Sequence, residues 1–290
     1  MKPLQDLARQ LLEDGEVKVV IGYQDGRRGV QPAFITDPAQ ADSLIFDHRC
    51  VHNLATYISP RRGHVKRLGR AAVVLKGCDA RAVAGLLRES QISREDVVLI
   101  GVRCGGVHDT PDVSGPLTAD TIAPRCHGCT VREPSLPDHL VGELPPAPPV
   151  GRDLDSQVAD LMAMSSSDRL AFWTRELDKC VRCYACRQVC PLCVCERCIV
   201  DKTQPRWIEP SAHARGNLAW HLTRAQHLAG RCSGCSECER ACPEGIPIHL
   251  FNHFLAGVVR DAFDHVVSDD PEVPAPVGAF RKDDAEEFIV

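Results

Sequence analysis

The amino-acid sequence predicts two domains: an α/β domain with a partly parallel sheet, followed by an all-α domain. Three features of the 290-residue chain support this prediction. Short apolar runs alternate with amphipathic segments in the first half of the chain, which is the order of an α/β fold. A proline-rich stretch, Leu144–Val150, then favours an extended spacer. Beyond this stretch, the apolar residues recur mainly at helical spacing.

The first domain contains a strand-helix-strand order. Four leucines between residues 4 and 12 recur at helical spacing, and Val17–Ile21 then predicts a strand. Further on, the apolar runs Ala71–Leu75 and Val97–Val102 flank a predicted helix over Asp79–Arg88. This order predicts a βαβ unit, in which the two strands are parallel.

The second domain is predicted to be helical over Leu154–Met164, Arg169–Leu177 and Ala212–Leu228. The end of the chain combines prolines with acidic residues, a composition that disfavours a packed core. The predicted boundaries are residues 1–144 for the α/β domain, 145–152 for the linker, 153–265 for the helical domain and 266–290 for a flexible acidic tail.

Eight of the 16 cysteines form two copies of one spacing, C-x-x-C-x-x-C-x-x-x-C-P. This spacing is typical of ferredoxins with two 4Fe-4S clusters, in which three thiolates of a run hold one cluster and the fourth binds the other. We therefore predict two clusters with crossed ligands. Cluster 1 would be held by Cys180, Cys183, Cys186 and Cys242, and cluster 2 by Cys232, Cys235, Cys238 and Cys190.

Zinc is the alternative for these eight thiols, because C-x-x-C pairs also form structural zinc sites. A zinc site needs two such pairs and has no use for a third cysteine followed by Cys-Pro. The spacing therefore favours clusters, which carry single electrons.

Four cysteines of the first domain predict a third 4Fe-4S cluster. Cys78 and Cys104 each follow an apolar run, and the carboxyl ends of parallel strands open onto one crevice. Cys126 and Cys129 form a C-x-x-C loop that would complete four ligands. Scattered buried cysteines are the alternative, and Cys50 is predicted to be structural.

Three further cysteines, Cys193, Cys195 and Cys198, follow the first run directly and stay outside the predicted ligand sets. They could tune the neighbouring cluster, replace a ligand, form a separate metal site or pack as buried thiols. Four histidines are candidates to donate hydrogen bonds to cluster sulfurs, although most are expected to be polar or packing residues. They are His127, His213, His221 and His227.

Composition excludes several classes of protein. The net charge of −5 has mixed signs and gives no basic footprint for nucleic acid. The N-terminus shows no export leader and no apolar run is long enough to span a bilayer, so we expect a cytoplasmic protein with reduced thiols and no direct membrane insertion. Nothing resembles a nucleophile with its base, so no catalytic residue is predicted.

The helical segment between the two cysteine runs is longer than in a β-hairpin ferredoxin. It resembles the α-helical ferredoxin domains of heterodisulfide reductase and succinate dehydrogenase iron-sulfur subunits. The resemblance covers about Arg169 to Phe254. It implies a helical dicluster fold for this part of the chain.

The first domain resembles the beta-subunit family of deazaflavin (coenzyme F420) hydrogenases and formate dehydrogenases. The residues that carry this resemblance are Cys50–Leu54, Lys76–Arg81, Arg94–Val102 and Cys104, within about Gly15 to Gly142. Members are iron-sulfur flavoproteins, so the resemblance implies FAD. However, the chain has no glycine-rich flavin segment near its N-terminus, no G-x-G-x-x-G and no Walker loop.

The two resemblances imply an electron-transfer subunit of a multi-subunit oxidoreductase. It would relay single electrons between a catalytic partner, of the formate dehydrogenase, hydrogenase or heterodisulfide reductase type, and a soluble ferredoxin or coenzyme carrier. The alternative is a self-contained iron-sulfur flavoenzyme that oxidises or reduces a deazaflavin or nicotinamide coenzyme. A redox or metal sensor ranks last, because no DNA-binding motif is present.

Overall fold

The computed structural model describes residues 2–276 of the chain. They divide into two compact units. The first extends to Asp153 and includes Asp269–Pro271, while the second comprises Leu154–Ser268 and the described residues from Glu272 to Pro276. Residues 277–290, where most of the predicted acidic tail falls, lie outside the described residues.

The first unit contains a mixed sheet of five strands in the order β2-β1-β3-β4-β5. The strands are β1 Val19–Gly26, β2 Gly29–Ile35, β3 Ala71–Leu75, β4 Val97–Val102 and β5 His139–Val141. β1 and β2 are antiparallel, whereas β1, β3, β4 and β5 pair in parallel. The expectation of a partly parallel sheet is thus confirmed.

Three helices accompany this sheet: α1 Lys2–Glu13, α2 Gly63–Lys66 and α3 Gly77–Arg88. Short 3-10 turns connect the rest, at Pro38–Ser43, Leu54–Tyr57, Pro60–Arg62, Arg94–Asp96 and Pro124–Cys126. Every residue of β3 and β4 is buried, which fits strands of a parallel sheet covered on both faces. The core of this unit therefore lies around its two central strands.

The structure extends the predicted first strand into a hairpin. β1 begins at Val19 and continues to Gly26, and β2 returns along it. The sequence pattern gives no prediction of β2, because Pro32 interrupts the apolar residues of this strand. Proline is tolerated here because β2 is at the edge of the sheet.

The elements between Leu154 and Phe263 are helices. They are α4 Leu154–Ala163, α5 Ser166–Asp178, α6 Ala185–Gln188, α7 Ala214–His227, α8 Glu237–Arg240 and α9 Ile248–Phe263, with a 3-10 turn at Ile199–Asp201. α5 packs on α7, and α9 packs on both α4 and α7. Trp173 of α5 stacks on Phe251 of α9 at a centroid distance of 3.9 Å. Across the described part of the chain, none of the helices has the length and apolarity needed to cross a bilayer.

Candidate iron-sulfur sites

The two cysteine runs of the second unit fold into loops with the same backbone. In the first run, Arg182 and Tyr184 flank Cys183 and both have a φ of 59°. In the second, Gly234 and Ser236 flank Cys235 with φ of 72° and 55°. Residues other than glycine rarely adopt this left-handed backbone conformation, and those that do are often at functional sites. The repeated conformation turns each loop so that its three cysteines converge.

The hydrogen bonds of the two loops also correspond. The backbone N–H of Arg182 donates to the Cys180 sulfur, and that of Gly234 donates to the Cys232 sulfur. Each loop then enters a short helix, α6 or α8, which starts after its second left-handed residue. Backbone N–H groups that point at cysteine sulfurs stabilise the charged thiolates that iron requires.

Each predicted ligand set is brought together in this unit. We name Cys180, Cys183, Cys186 and Cys242 the first thiol set, and Cys190, Cys232, Cys235 and Cys238 the second thiol set. Cys186 interacts electrostatically with the other three thiols of the first set. Cys238 does the same within the second set, whose four cysteines line one cavity.

Burial favours the protonated form of several of these thiols. It raises the pKa of Cys232 to about 12 and that of Cys235 to about 11. Burial also raises the pKa of Cys180 and Cys186. Binding of iron would therefore release protons, and the iron would supply the positive charge that holds the thiolates in a buried cavity.

The spacing of the thiols differs from that of a single-ion site. Among residues 2–276, no three side chains of Cys, His, Asp or Glu are close enough to coordinate one ion together. In a 4Fe-4S cubane each thiolate binds a different iron, so its ligands stand further apart than those of one ion. The donor chemistry of four thiols around one cavity fits a cluster.

The additional cysteines after the first run lie in different surroundings. Cys193 is beside Cys190, and a hydrogen bond between their side chains raises the pKa of Cys190 and lowers that of Cys193 to about 7. Cys195 is exposed. The Cys198 N–H donates to Asp201 Oδ2 at 3.1 Å and so caps a turn. Cys193 thus adjoins a predicted ligand.

Helix α7 contributes two buried polar residues that the sequence analysis did not assign to a site together. His221 is 2% exposed, and Arg224, one turn further on, is 3% exposed. Burial lowers the pKa of His221 to about 4. Neither ring nitrogen of His221 has a hydrogen-bond partner among the described residues. The histidine was a candidate in the sequence, whereas an arginine inside a helix gives no signal of burial.

In the first unit, the structure gathers a third thiol set, Cys78, Cys104, Cys126 and Cys129. Leu75 of β3 pairs with Gly101 of β4, so Cys78 and Cys104 follow the same edge of the sheet. Cys104 interacts electrostatically with Cys78, Cys126 and Cys129. The Gly106 N–H donates to the Cys104 sulfur at 3.4 Å, two residues after the cysteine, as in the other loops.

The C-x-x-C loop of the third thiol set is held closely against the sheet edge. The Cys104 N–H donates to Arg132 O at 2.8 Å, and the Cys129 N–H donates to Cys126 O at 3.3 Å. Gly77, at the start of α3, allows the loop to approach, because a Cβ there would lie 2.2 Å from Val131 O. This position needs glycine for a close backbone approach.

A buried ion pair lies beside the third thiol set. Lys76 Nζ is 2.9 Å from Asp79 Oδ2, and the two side chains are 3% and 0% exposed. Lys76 Nζ also donates to His52 O at 2.7 Å and to the Tyr23 hydroxyl. Burial raises the pKa of Cys104 to about 11, an effect that the Lys76 charge opposes. Lys76 therefore favours the thiolate form of Cys78 and Cys104, a role that its place in the sequence motif did not indicate.

The other candidates of the sequence analysis have local contacts. Cys50 is buried in the core of the first unit, and its sulfur accepts a hydrogen bond from the Asp47 N–H at 3.3 Å. His127 Nδ1 is 3.1 Å from Pro149 O. His213 caps α7, and His227 is exposed. Among these four histidines, His221 alone is both buried and without a hydrogen-bond partner in residues 2–276.

Comparison with known protein families agrees with this description of the second unit. Residues 176–246 match the family model of the 4Fe-4S dicluster domain. The matched range contains both cysteine loops in full. The second unit thus contains a domain of the 4Fe-4S dicluster class.

The particular relatives are beta subunits of formate dehydrogenases. The chain is 32% identical over 103 residues to the F420-dependent formate dehydrogenase subunit beta of Methanocaldococcus jannaschii, covering 35% of this chain and 26% of the relative. It is 24% identical over 106 residues to F420-dependent formate dehydrogenase 1 subunit beta of Methanococcus maripaludis, covering 37% and 27%. The chain therefore spans about a quarter of the length of these curated relatives. The resemblance to this family and the presence of a dicluster domain are both confirmed.

Proposed function

We propose that this chain is the iron-sulfur electron-transfer subunit of a cytoplasmic multi-subunit oxidoreductase. It relays single electrons between a catalytic partner and a soluble carrier. The observation that carries the proposal is the convergence of four thiols from two distant loops, Cys190 with Cys232, Cys235 and Cys238, around one cavity. No group with the features of a nucleophile and its base was found in the sequence, so relay of electrons is the chemistry that these residues support best.

The second unit is, in this proposal, an α-helical ferredoxin domain with two 4Fe-4S clusters and crossed ligands. The first thiol set holds one cluster, and the second thiol set holds the other. Each cluster supplies a one-electron carrier when bound. The protein binds the irons through thiolates and directs backbone N–H groups at the sulfurs of Cys180 and Cys232.

The first unit holds a third 4Fe-4S cluster in this proposal, at Cys78, Cys104, Cys126 and Cys129. The support is the electrostatic contact of Cys104 with the other three thiols and the tight loop that Gly77 permits. Lys76 contributes a buried positive charge near these thiols. The proposed boundaries of the two domains remain residues 1–144 and 153–265, with a linker between them.

The catalytic partner is proposed from the relatives. Both are formate dehydrogenase beta subunits described as F420-dependent. A partner of the formate dehydrogenase class is therefore favoured over one of the hydrogenase or heterodisulfide reductase class. A deazaflavin coenzyme or a ferredoxin would serve as the soluble carrier.

One observation favours the flavoenzyme alternative. A cavity of the first unit lies at the carboxyl ends of β4 and β5, where parallel sheets bind ligands, and it is lined by Arg103, Gly105, Gly106 and Gly142. Small residues at that edge permit a phosphate to approach the backbone. Bound FAD, together with turnover of a deazaflavin or nicotinamide donor in the absence of other subunits, would establish this alternative.

The experiment that tests the proposal is the measurement of iron, acid-labile sulfide and flavin in anaerobically purified protein. We expect about twelve irons per chain, since each 4Fe-4S cluster contains four. About eight irons would disprove the cluster in the first unit and leave the dicluster relay intact. Fewer than eight irons after anaerobic reconstitution with iron and sulfide would contradict the relay itself.

A further inference from the structure

Arg224 occupies an unusual place in the interior of the second unit. The residue is 3% exposed, and its Nη2 donates a hydrogen bond of 3.1 Å to Cys186 O. Its Nε and Nη1 are buried and find no hydrogen-bond acceptor in the part of the chain that the structure describes. The guanidinium thus keeps unused donors in an environment where such groups are normally satisfied.

The positive charge of Arg224 needs a counter-ion. A guanidinium stays protonated in proteins, and an uncompensated buried charge costs on the order of several kcal/mol. The groups that act most strongly on Arg224 are four thiols: Cys186 of the first thiol set, Cys190 and Cys238 of the second, and Cys193. The side chain of Arg224 is hydrogen-bonded to Cys193, while the other three thiols are neutral until they bind iron as thiolates. The surroundings of Arg224 therefore include ligands from both thiol sets, which would be anionic with clusters bound.

Arg182, another buried arginine of this unit, bonds mainly to backbone carbonyls. Its Nη1 donates to Gly216 O and its Nη2 to Glu209 O, each at 2.8 Å, so both ends of its fork bond to backbone carbonyls. Arg224 has a single carbonyl of this kind. The difference leaves Arg224 with donors available for cluster sulfurs.

We propose that Arg224 is a counter-ion shared by the two clusters of the second unit and that its charge raises the midpoint potentials of both. This inference rests on the proposed dicluster function. Reduction of a cluster adds one negative charge, which a nearby cation stabilises more than it stabilises the oxidised form. The potential of each cluster is therefore higher with Arg224 present. Arg224 thus affects electron transfer only through the potentials of the clusters.

The test compares the full-length wild type with Arg224→Gln, Arg224→Lys and a matched control, Arg215→Gln. Arg215 is on the same helix but exposed, so its substitution removes the same charge from α7 without changing the interior. Iron and sulfide are measured first, and EPR-monitored redox titrations then give the potential of each cluster. We expect Arg224→Gln to keep both clusters and to lower the reduction equilibrium constant of each at least tenfold, which is about 59 mV. Arg224→Lys and Arg215→Gln should stay near the wild type.

Several results would overturn the proposal. Unchanged potentials in Arg224→Gln, a shift of only one cluster, or equal shifts in Arg224→Lys and Arg224→Gln would each exclude a shared charge effect. If Arg224→Gln loses iron, Arg224→Lys decides: loaded clusters at wild-type potentials support a required cation. Loss of iron in both variants, with helical circular dichroism retained, would make Arg224 a structural residue. A wild type that binds no iron would instead refute the proposed function, which is a separate outcome.

Discussion

The two units assemble their thiol sets in different ways. In the second unit, three members of each set come from one tight loop, and left-handed residues beside Cys183 and Cys235 set the shape of these loops. In the first unit, Cys78 and Cys104 are gathered by the pairing of β3 with β4, and a separate loop adds the other two. The loops depend on local backbone conformation. The third thiol set depends instead on the pairing of β3 with β4 and on the position of the separate C-x-x-C loop.

Because of this difference, we expect the third thiol set to be more sensitive than the other two to structural changes elsewhere in its unit. A displacement of α3, β4 or the C-x-x-C loop would separate its members. The loops of the second unit would each keep three thiols together under the same disturbance. Variants that act on one kind of assembly and spare the other can therefore test the comparison.

The largest effect is expected from removal of a loop ligand. Cys235→Ser should abolish the cluster of the second thiol set and remove about four irons per chain, because a serine hydroxyl is a poor substitute for a thiolate ligand. With crossed ligands, Cys190→Ser should remove the same EPR signal, and Cys242→Ser should remove the other one. Cys195→Ser is the matched control, since Cys195 is exposed and outside the sets. If Cys235→Ser and Cys242→Ser lost the same EPR signal, the crossed arrangement of ligands would be disproved.

Gly77→Ala should cause a similar loss of iron, confined to the first unit. The new Cβ would meet Val131 O at 2.2 Å and push the C-x-x-C loop away from Cys78 and Cys104. The iron content should fall from about twelve to about eight irons per chain, and the EPR signals of the second unit should be unchanged. Gly63→Ala is the control, because a Cβ at Gly63 meets nothing within 4 Å. Retention of all irons in Gly77→Ala would show that the close approach is unnecessary.

Much of this comparison could be predicted from the sequence. The loop ligands were visible as a contiguous pattern, and β3 and β4 were predicted with the bounds that the structure gives them. Other features depend on tertiary context. On α7, helical spacing alone would place Leu222 on the same face as His221 and Ala225, but Leu222 is 40% exposed while Arg224 is buried. Hydrophobic spacing cannot indicate an arginine whose compensating charge is contributed by residues distant in sequence.

The buried ion pair of the first unit should stabilise the edge at which the third thiol set lies. Lys76→Met removes the cation that pairs with the buried Asp79 carboxylate, and breaking such a pair costs about 3–5 kcal/mol. Hydrogen–deuterium exchange should become faster in β3 and β4. The double variant Lys76→Met/Asp79→Leu should recover most of the protection, because it removes both charges. Equal exchange in the single and double variants would disprove the charge argument.

The smallest effects are expected at the left-handed residues of the second loop. Gly234→Ala places a side chain at φ +72° in open space, so only the backbone conformation is penalised, by about 1 kcal/mol. Ser236→Gly, at φ 55°, should change stability by a similar amount in the opposite direction. The temperature at which visible cluster absorbance is lost under anaerobic heating measures both. A shift of the same sign in the two variants would contradict the role of backbone strain.

The repeated loops have a consequence for the connectivity of the chain. With crossed ligands, each cluster joins one cysteine run to the last cysteine of the other, so the chain is fastened twice across the segment between Cys190 and Cys232. A single cut in that segment, between the turn at Ile199–Asp201 and the start of α7, would leave two fragments that remain bound through iron and sulfur. The two fragments would then stay together without the peptide bonds of the connecting segment. Chelation of the iron would release pieces that proteolysis alone could not separate.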